Sequence, residues 1–204
     1  IKVAGSISLT ENFTANGEVS LFGAEIGGNL SCNGATFSNF GKSSLNGNVI
    51  KIKESLFFKP KKIDGSIKLI NARVNSIVDD IESWPEGRTI LDGFEYQRFS
   101  GNASTKAKDR IAWLKKQEPR YLNEDFRPQP WEHLIKTLRA MGHYAEADEV
   151  AIAKEKKLLK IGKVGKGYNG LFSFCAKIFH WLYGFTTGFG YRPIRGLFIM
   201  VGVW

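Results

Sequence analysis

Apolar and polar positions near the N-terminus repeat with a spacing of 11 residues. Within residues 17–37, small or apolar side chains alternate with polar ones, which is the two-residue period of a β-strand. Glycine and asparagine lie between the apolar pairs, where the chain needs turns. The pattern therefore predicts very short strands separated by turns. The matched positions are Val19 and Leu30, Leu21 and Cys32, Ala24 and Ala35, and Ile26 and Phe37.

The same pattern recurs further along the chain. Residues 65–74 match residues 17–26 position by position, and residues 5–9 begin in the same way. A fixed-period run of short strands is typical of a solenoid, in which each coil buries its apolar face by stacking on the next. An antiparallel sandwich with glycine-rich turns is the alternative, and the constant spacing favours the solenoid because hairpin sheets need no such repeat. We therefore predict a mainly β protein in which residues 1–100 form a right-handed β-helix.

The solenoid prediction assigns a direction to each side chain of the repeat. We expect the apolar residues to point into one continuous core and the polar residues between them to lie outside, because successive side chains of a strand point to opposite faces. The predicted inward residues are Val19, Leu21, Ile26, Leu30, Cys32, Phe37, Ile67 and Leu69. The predicted outward residues are Glu18, Ser20, Glu25, Ser31 and Asn33.

Residues 101–161 have the apolar spacing of helices rather than of strands. We predict a helix over residues 104–118 that caps the solenoid, because a solenoid needs a terminal cap. Two further helices are predicted over residues 130–141 and 144–160. Gly142 lies between them and permits a tight reversal, so we expect this pair to form an αα-hairpin.

Residues 162–204 begin with a basic linker, continue into an aromatic helix and end in an apolar run. The aromatic helix is predicted over residues 171–185. Residues 194–204 are apolar except for Arg195, and these 11 residues are too few to cross a bilayer, which takes about 20. We interpret them as the start of a transmembrane helix and the sequence as part of a longer protein.

The chain carries a net charge of +9, weighted toward its C-terminal half. A basic protein suits an anionic membrane surface or nucleic acid. Lysines beside a predicted membrane entry favour lipid, and a solvated helix face is the third interpretation. We predict membrane lipid as a partner and no nucleic acid. The basic run consists of Lys154, Lys156, Lys157, Lys160, Lys163 and Lys166.

A second group of residues is predicted to lie at the membrane interface. Tryptophan and tyrosine favour the headgroup region, where one part of the ring is solvated. Lysine keeps its charge in water while its stem lies along apolar surface. Arginine beside a membrane entry suits the phosphate level, and proline suits the first turn of the helix that follows. This group comprises Lys177, Trp181, Tyr183, Tyr191, Arg192, Pro193 and Arg195.

Residues that could carry chemistry are scattered along the sequence. His133, His143 and His180 show no metal-ligand spacing. The sequence GAEIGG at residues 23–28 resembles a dinucleotide loop, but no helix is predicted after it, and pyrophosphate binding needs a helix N-terminus. Residues 79–82 form an acidic cluster that we interpret as a solvated loop rather than a metal site. We therefore predict no catalytic, cofactor-binding or metal-binding residue here.

The two cysteines lie in segments of different character. Cys32 occupies an inward position of the repeat, where it is expected to act as a small core residue, and Cys175 lies in the aromatic helix. We therefore predict no disulfide bond between them, and the sequence has no CxxC spacing for a metal.

Four features of the sequence occur together in a family of bacterial proteins. They are the repeat GEVSLFGAEIGGNLSCNGATF, the segment FRPQPWEHLIKTLRAMGH, the phrase IAKE, and GFGYRP before an apolar run. In these features the chain resembles β-helical, pentapeptide-repeat-like membrane proteins, which are often named membrane-associated oxidoreductases. The family's usual phrase is GYGYRP, and Phe189 replaces the first tyrosine here. The resemblance implies a β-helical N-terminal domain and a membrane-embedded C-terminal part that lies mostly beyond this sequence.

The function predicted from these features is that of a membrane-anchored scaffold. The β-helix would stand on the cytoplasmic side of the bacterial inner membrane and offer a rigid surface to a protein partner. We predict no catalytic role for the residues present. The alternative, implied by the resemblance, is a membrane-associated oxidoreductase whose redox site lies in the membrane part.

Overall fold

A computed structural model describes the backbone of residues 1–162 and 170–192, and the side chains of residues 1–162 and 175–192. Residues 1–100 form twelve strands of 2 to 11 residues. Their bounds are Lys2–Val3 (β1), Ile7–Ser8 (β2), Thr14–Asn16 (β3), Val19–Ser20 (β4), Glu25–Ile26 (β5), Leu30–Ser31 (β6), Thr36–Asn46 (β7), Lys51–Phe58 (β8), Lys62–Lys68 (β9), Arg73–Asp79 (β10), Thr89–Ile90 (β11) and Glu95–Phe99 (β12).

The strands form two sheets in which every pair of strands is parallel. The first sheet has the order β1-β5-β8-β10-β12 with β2 and β6 alongside, and the second contains β3, β4, β7, β9 and β11. Along the first sheet, Lys2 pairs with Glu25, Glu25 with Lys51, Lys51 with Arg73, and Arg73 with Glu95. The chain is therefore mainly a parallel β-solenoid of about four turns, which confirms the solenoid prediction and excludes the antiparallel sandwich.

One coil of the solenoid contains two copies of the 11-residue repeat. Val19 pairs with Leu45 in the second sheet, whereas Leu30 pairs with Leu56 in the first sheet. Positions 11 residues apart therefore lie in different sheets, on two sides of one core. The residues that stack on each other are two repeats apart, a relation that the sequence pattern alone did not assign.

The two sheets enclose a single apolar core that continues into the helices. Val19 is half-buried at its edge. Of the predicted outward residues, Glu18 and Ser20 are exposed, and the other three are half-buried. The alternation of apolar and polar residues therefore predicted the inward positions correctly. The predicted inward residues that are fully part of the core are Leu21, Ile26, Leu30, Cys32, Phe37, Ile67 and Leu69.

Several coils turn at a residue with a left-handed backbone conformation. In one such turn the backbone N–H of Ala24 donates to the carbonyl of Leu21 at 3.1 Å, and Gly23 between them has a φ of 62°. Asn71 and Val49 occupy the same place in later turns, with φ values of 54° and 59°. Glycine and asparagine adopt this conformation at little cost. Valine rarely does so, because its branched side chain is crowded there.

Helices follow the solenoid in the chain. A short 3₁₀ helix at Ile81–Ser83 precedes β11. The α-helices of the described residues are Ala107–Lys115 (α1), Pro119–Leu122 (α2), Gln129–Ala140 (α3), Tyr144–Lys160 (α4) and Gly170–Thr187 (α5).

Helices α3 and α4 form an antiparallel pair. Arg139, near the end of α3, pairs with Asp148, near the start of α4, at 2.9 Å. Gly142 lies in the turn between the two helices and has a φ of 85°. Glycine tolerates this conformation because it has no Cβ, which explains the sharp reversal.

Side chains of α3 cover the open edge of the last strand of the first sheet, β12. The backbone N–H of Tyr96 lies 2.9 Å from Nε2 of His133, and the hydroxyl of Thr137 donates to the carbonyl of Tyr96 at 3.2 Å. Just before the strand, the N–H of Gly93 donates to Oε1 of Gln129 at 2.9 Å. An unpaired strand edge is a template for unwanted strand pairing, so α3 forms part of the terminal cap that a solenoid requires. The predicted cap helix, α1, contributes as well, because its Trp113 packs on Trp84 and Tyr96.

The predicted transmembrane segment, residues 194–204, lies outside the described residues. Within residues 1–162 and 170–192, no helix combines the length and the apolar character needed to cross a membrane. The described part of the chain is therefore a solenoid with helices, and the membrane segment remains a prediction.

Candidate functional site

Helix α5 contacts α4 along a narrow strip of its surface. Nε2 of His180 lies 3.3 Å from Oε2 of Glu155. Gly188 lies just after the end of α5 and is buried, and a Cβ built on it would lie 3.5 Å from Cδ1 of Ile152. His180 on α5 and Gly188 just after it therefore mark the strip that contacts α4.

Most of the side chains that the structure describes on α5, at residues 175–187, are exposed and apolar outside this strip. Phe179 is 76% exposed and Phe185 is 65% exposed. The sequence of α5 contains no aspartate or glutamate. A helix that is apolar on most of its sides is normally buried, so this exposed surface is unusual for a helix facing water. We call it the aromatic surface of α5, and it consists of Ile178, Phe179, Trp181, Leu182, Tyr183 and Phe185.

Lysines surround the apolar residues where the end of α4 meets the first half of α5. Lys156 and Lys160 come from α4 and Lys177 comes from α5. They line a depression of about 570 Å³ together with three apolar residues, Leu159, Ile178 and Trp181. Within the described residues, none of these three lysines forms an ion pair with an acidic side chain. We call this group the lysine end of the α4–α5 surface.

Lys154 differs from the other members of the predicted basic run because its side chain is buried. It forms ion pairs with Glu132 on α3 and with Glu155 at 3.0 Å. Burial alone would lower the pKa of Lys154, but the hydrogen bonds to these two carboxylates outweigh burial and raise it. The prediction of a lipid-facing Lys154 is therefore corrected, because this charge is neutralised inside the helical part of the protein.

The other predicted basic residues lie in different places. Lys156 and Lys160 are exposed, whereas Lys157 is half-buried and donates to Oδ1 of Asn123 at 3.0 Å. Burial, followed by the charges of Lys160 and Lys115, lowers the pKa of Lys157. Lys163 and Lys166 lie outside the described residues.

The predicted membrane-interface residues are only partly grouped in space. Lys177, Trp181 and Tyr183 are exposed on α5. Tyr191 is half-buried and lies beneath the guanidinium of Arg139, whose central carbon is 5.8 Å from the ring centroid. Nη2 of Arg192 lies 3.1 Å from Oε1 of Glu149 on α4. Pro193 and Arg195 lie outside the described residues.

A buried ion pair connects the solenoid to α1, and the sequence did not reveal it. Nη1 and Nη2 of Arg110 donate to the two carboxylate oxygens of Asp79 at 2.9 and 2.7 Å, and both side chains are fully buried. Nε1 of Trp84 donates to the same carboxylate at 2.8 Å. The guanidinium also lies 3.7 Å from the ring centroid of Phe99. The interpretation of residues 79–82 as a solvated loop is therefore wrong at Asp79.

Two of the groups that could carry chemistry, His133 and Cys32, are held in structural positions. Nε2 of His133 lies against the backbone of Tyr96, and burial lowers the pKa of His133. Burial raises the pKa of the Cys32 thiol to about 12, so it carries no thiolate at neutral pH. Cys175 is exposed. Among the described residues, no three histidine, cysteine, aspartate or glutamate side chains come close enough together to hold a metal ion.

Comparison of the chain with family models, with curated proteins and with solved structures finds no match. The function is therefore argued from the described residues, and the surface that α4 and α5 share is the candidate site.

Proposed function

We propose that this protein is a β-solenoid scaffold that binds the surface of an anionic membrane through α5 and the lysine end of the α4–α5 surface. The solenoid then stands away from the lipid and offers its rigid sheets to a protein partner. The single observation that carries the proposal is the exposed aromatic surface of α5.

The aromatic surface supplies the apolar part of the membrane interaction. Six large apolar side chains are exposed on one helix, and two of them are Trp181 and Tyr183. Fully burying one such side chain is worth about 1.5–3 kcal/mol, so partial burial of several stabilises a lipid-bound state substantially. Tryptophan and tyrosine are enriched at the boundary between lipid and water. We propose that α5 lies in the plane of the interface, because its contact with α4 and its lysine-lined depression leave only part of its surface free to enter lipid.

The charge distribution supplies the electrostatic part of the interaction. Residues 1–100 contain equal numbers of acidic and basic side chains, so the net charge of +9 comes from residues 101–204. Lys156, Lys160 and Lys177 lie beside the aromatic surface, where each lysine near an anionic leaflet contributes about 1 kcal/mol. A nucleic-acid partner is disfavoured, because the basic residues of this site accompany exposed aliphatic and aromatic side chains rather than forming a continuous basic stripe.

The orientation of the proposed complex follows from the same residues. We infer that α5 lies along the cytoplasmic face of a bacterial inner membrane, as the resemblance of the repeat and of GFGYRP to bacterial membrane proteins implies. Residues 194–204 are proposed to continue from there into the bilayer. Lysine and arginine favour the cytoplasmic side of a membrane, which is consistent with the basic residues near α5.

The experiment that tests this proposal is co-sedimentation of the full chain with lipid vesicles. We expect binding to vesicles that contain phosphatidylglycerol and much weaker binding to vesicles of phosphatidylcholine alone, with a salt dependence that reflects the lysines. Replacing Lys160 and Lys177 together with glutamine removes two charges and is expected to weaken binding by about 30-fold, since each contributes about 1 kcal/mol.

The matched control replaces Lys53 and Lys61 with glutamine. Both lysines are exposed on the solenoid, so this variant has the same net charge as the test variant but an unchanged α4–α5 surface. We expect it to bind vesicles as the wild-type protein does. If both variants bind the vesicles equally weakly, net charge rather than the α4–α5 surface is responsible for binding. Wild-type protein that stays in the supernatant with phosphatidylglycerol vesicles contradicts the proposed function.

A further inference from the structure

A groove runs along the contact between α4 and α5 and begins at the lysine end. It has a volume of about 780 Å³. Ligand sites in proteins have volumes of about 300–1,000 Å³ and are lined mostly by apolar side chains with a few polar groups. This groove matches that description, because its walls include Ile152, Ala153, Leu159, Trp181, Phe185 and Phe189.

The length of the groove is that of one lipid chain. Its lining residues on α4 extend from Glu149 to Leu159, which corresponds to about 15 Å at the helical rise per residue. The hydrocarbon core of a bilayer is about 30 Å thick, so the chains of one leaflet span about 15 Å. Gly184 and Gly188 line the groove on the opposite side, where the ring of Phe189 packs against Gly184 and the side chain of Arg192 lies beside Gly188.

The charges differ between the two ends of the groove. Lys156 lines the groove and belongs to the lysine end, where Lys160 and Lys177 are close by. At the other end, Glu149 and Arg192 form an ion pair and neutralise each other. An anionic group is therefore favoured at the lysine end, and the apolar walls extend from there toward the neutral end.

We propose that this groove binds one acyl chain of an anionic phospholipid, with the phosphate held at the lysine end. The inference rests on the proposed membrane function and specifies the ligand. Burial of the chain against the walls supplies the affinity, and the lysines determine which end the headgroup occupies. A lipid bound in this way would anchor α5 to the membrane surface through a single defined site.

The test is titration calorimetry of the full chain with lysophosphatidylglycerols of increasing tail length, below the concentrations at which they form micelles. We expect saturable one-to-one binding. The affinity is expected to rise about four-fold with each added methylene, which is the ratio given by about 0.8 kcal/mol per buried CH₂. This rise is expected to stop once the tail is longer than the groove. Lysophosphatidylcholines of the same tail lengths should bind at least ten-fold more weakly.

Two substitutions on α4 test the location of the site. Ala153→Phe places a ring inside the groove and is expected to weaken binding of the longest tails at least ten-fold. Ala145→Phe is the matched control, because Ala145 lies on the same helix, is exposed and does not line the groove. If Ala153→Phe lowers the melting temperature, its effect on binding is not used. The tail length at which the affinity of the wild-type protein stops rising then tests the groove by itself.

The outcomes separate this inference from the proposed function. Vesicle binding without saturable lysolipid binding overturns the groove and leaves the membrane surface in place. Lysolipid binding without vesicle binding retains the groove and overturns the membrane function. An affinity that rises with tail length without limit, or equal effects of the two substitutions, also overturns the groove.

Discussion

Replacing Arg110 with methionine is the perturbation from which the structure predicts the largest loss of stability. Arg110 donates two hydrogen bonds to Asp79, at 2.9 and 2.7 Å, and both side chains have 0% exposure. Methionine is similar in length but carries no charge, so the substitution leaves the Asp79 carboxylate buried with the Trp84 indole as its remaining side-chain donor. The pair joins β10 of the solenoid to α1, so its loss affects the contact between these two parts.

The magnitude follows from the burial of both partners. Breaking a buried ion pair by removing one side costs about 3–5 kcal/mol, because the remaining charge is uncompensated. For a protein of this size, each kcal/mol corresponds to about 2–4 °C in melting temperature. We therefore expect Arg110→Met to melt about 6–20 °C below the wild-type protein.

A double variant separates the ion pair from simple packing. Replacing Asp79 with leucine and Arg110 with methionine removes both charges and leaves the buried Trp84 N–H without its acceptor, which costs about 1–3 kcal/mol. The double variant is therefore expected to be more stable than Arg110→Met alone.

The assay is thermal and chemical denaturation, both followed by far-UV circular dichroism, with Arg73→Met as the matched control. Arg73 pairs with Glu95 at 3.1 Å, but the two side chains are 65% and 45% exposed. An exposed pair contributes about 0–1 kcal/mol, so the control is expected to stay close to the wild-type midpoint. The reasoning is refuted if Arg110→Met unfolds at the same denaturant concentration as Arg73→Met, or if the double variant is no more stable than Arg110→Met alone.

Three further predictions concern single residues. Val49→Asn relieves left-handed backbone strain of about 1 kcal/mol and should raise the melting temperature by about 2–4 °C, and an unchanged value contradicts this. A thiol reagent at pH 8 should label the exposed Cys175 but not Cys32, because burial raises the pKa of the Cys32 thiol to about 12. Mass spectrometry of protein labelled in its native state measures this, and equal labelling of the two cysteines contradicts the prediction. Burial lowers the pKa of His133 below its ordinary value of 6.5 in the folded protein. The unfolded chain therefore binds a proton at this imidazole more tightly than the folded protein does. The free energy of unfolding should fall as the pH falls through about 6.5 toward the folded pKa. His133→Gln should lose less stability than the wild-type protein between pH 7 and pH 5, as measured by denaturation midpoints.

The residues on the candidate surface could be predicted in part. Lys177, Trp181 and Tyr183 were selected because their side chains suit a membrane interface, and the structure shows them exposed on one helix. Their relation to α4 could not be predicted, because it depends on contacts such as the one between His180 and Glu155. Composition identifies residues that suit an interface, whereas a groove requires two helices at a defined separation.

The amino-acid sequence by itself determined the solenoid and the direction of its side chains. Leu21, Leu30 and Ile67 are buried because alternation along each strand points them inward and every coil repeats the same inward positions. Periodicity likewise predicted the helices that became α3 and α4. These properties depend on neighbours within a few residues or within one repeat, so a sequence pattern records them.

Only the tertiary structure decided which charged residues are inside. Asp79 and Lys154 are in sequences that look solvated, yet both side chains are buried: Asp79 pairs with Arg110 in the interior, and Lys154 pairs with Glu132, which is itself partly exposed. These partners are 31 and 22 positions apart in the chain. A buried charge is stable only when another element of the fold places an opposite charge beside it. No local sequence pattern specifies such a contact between distant residues.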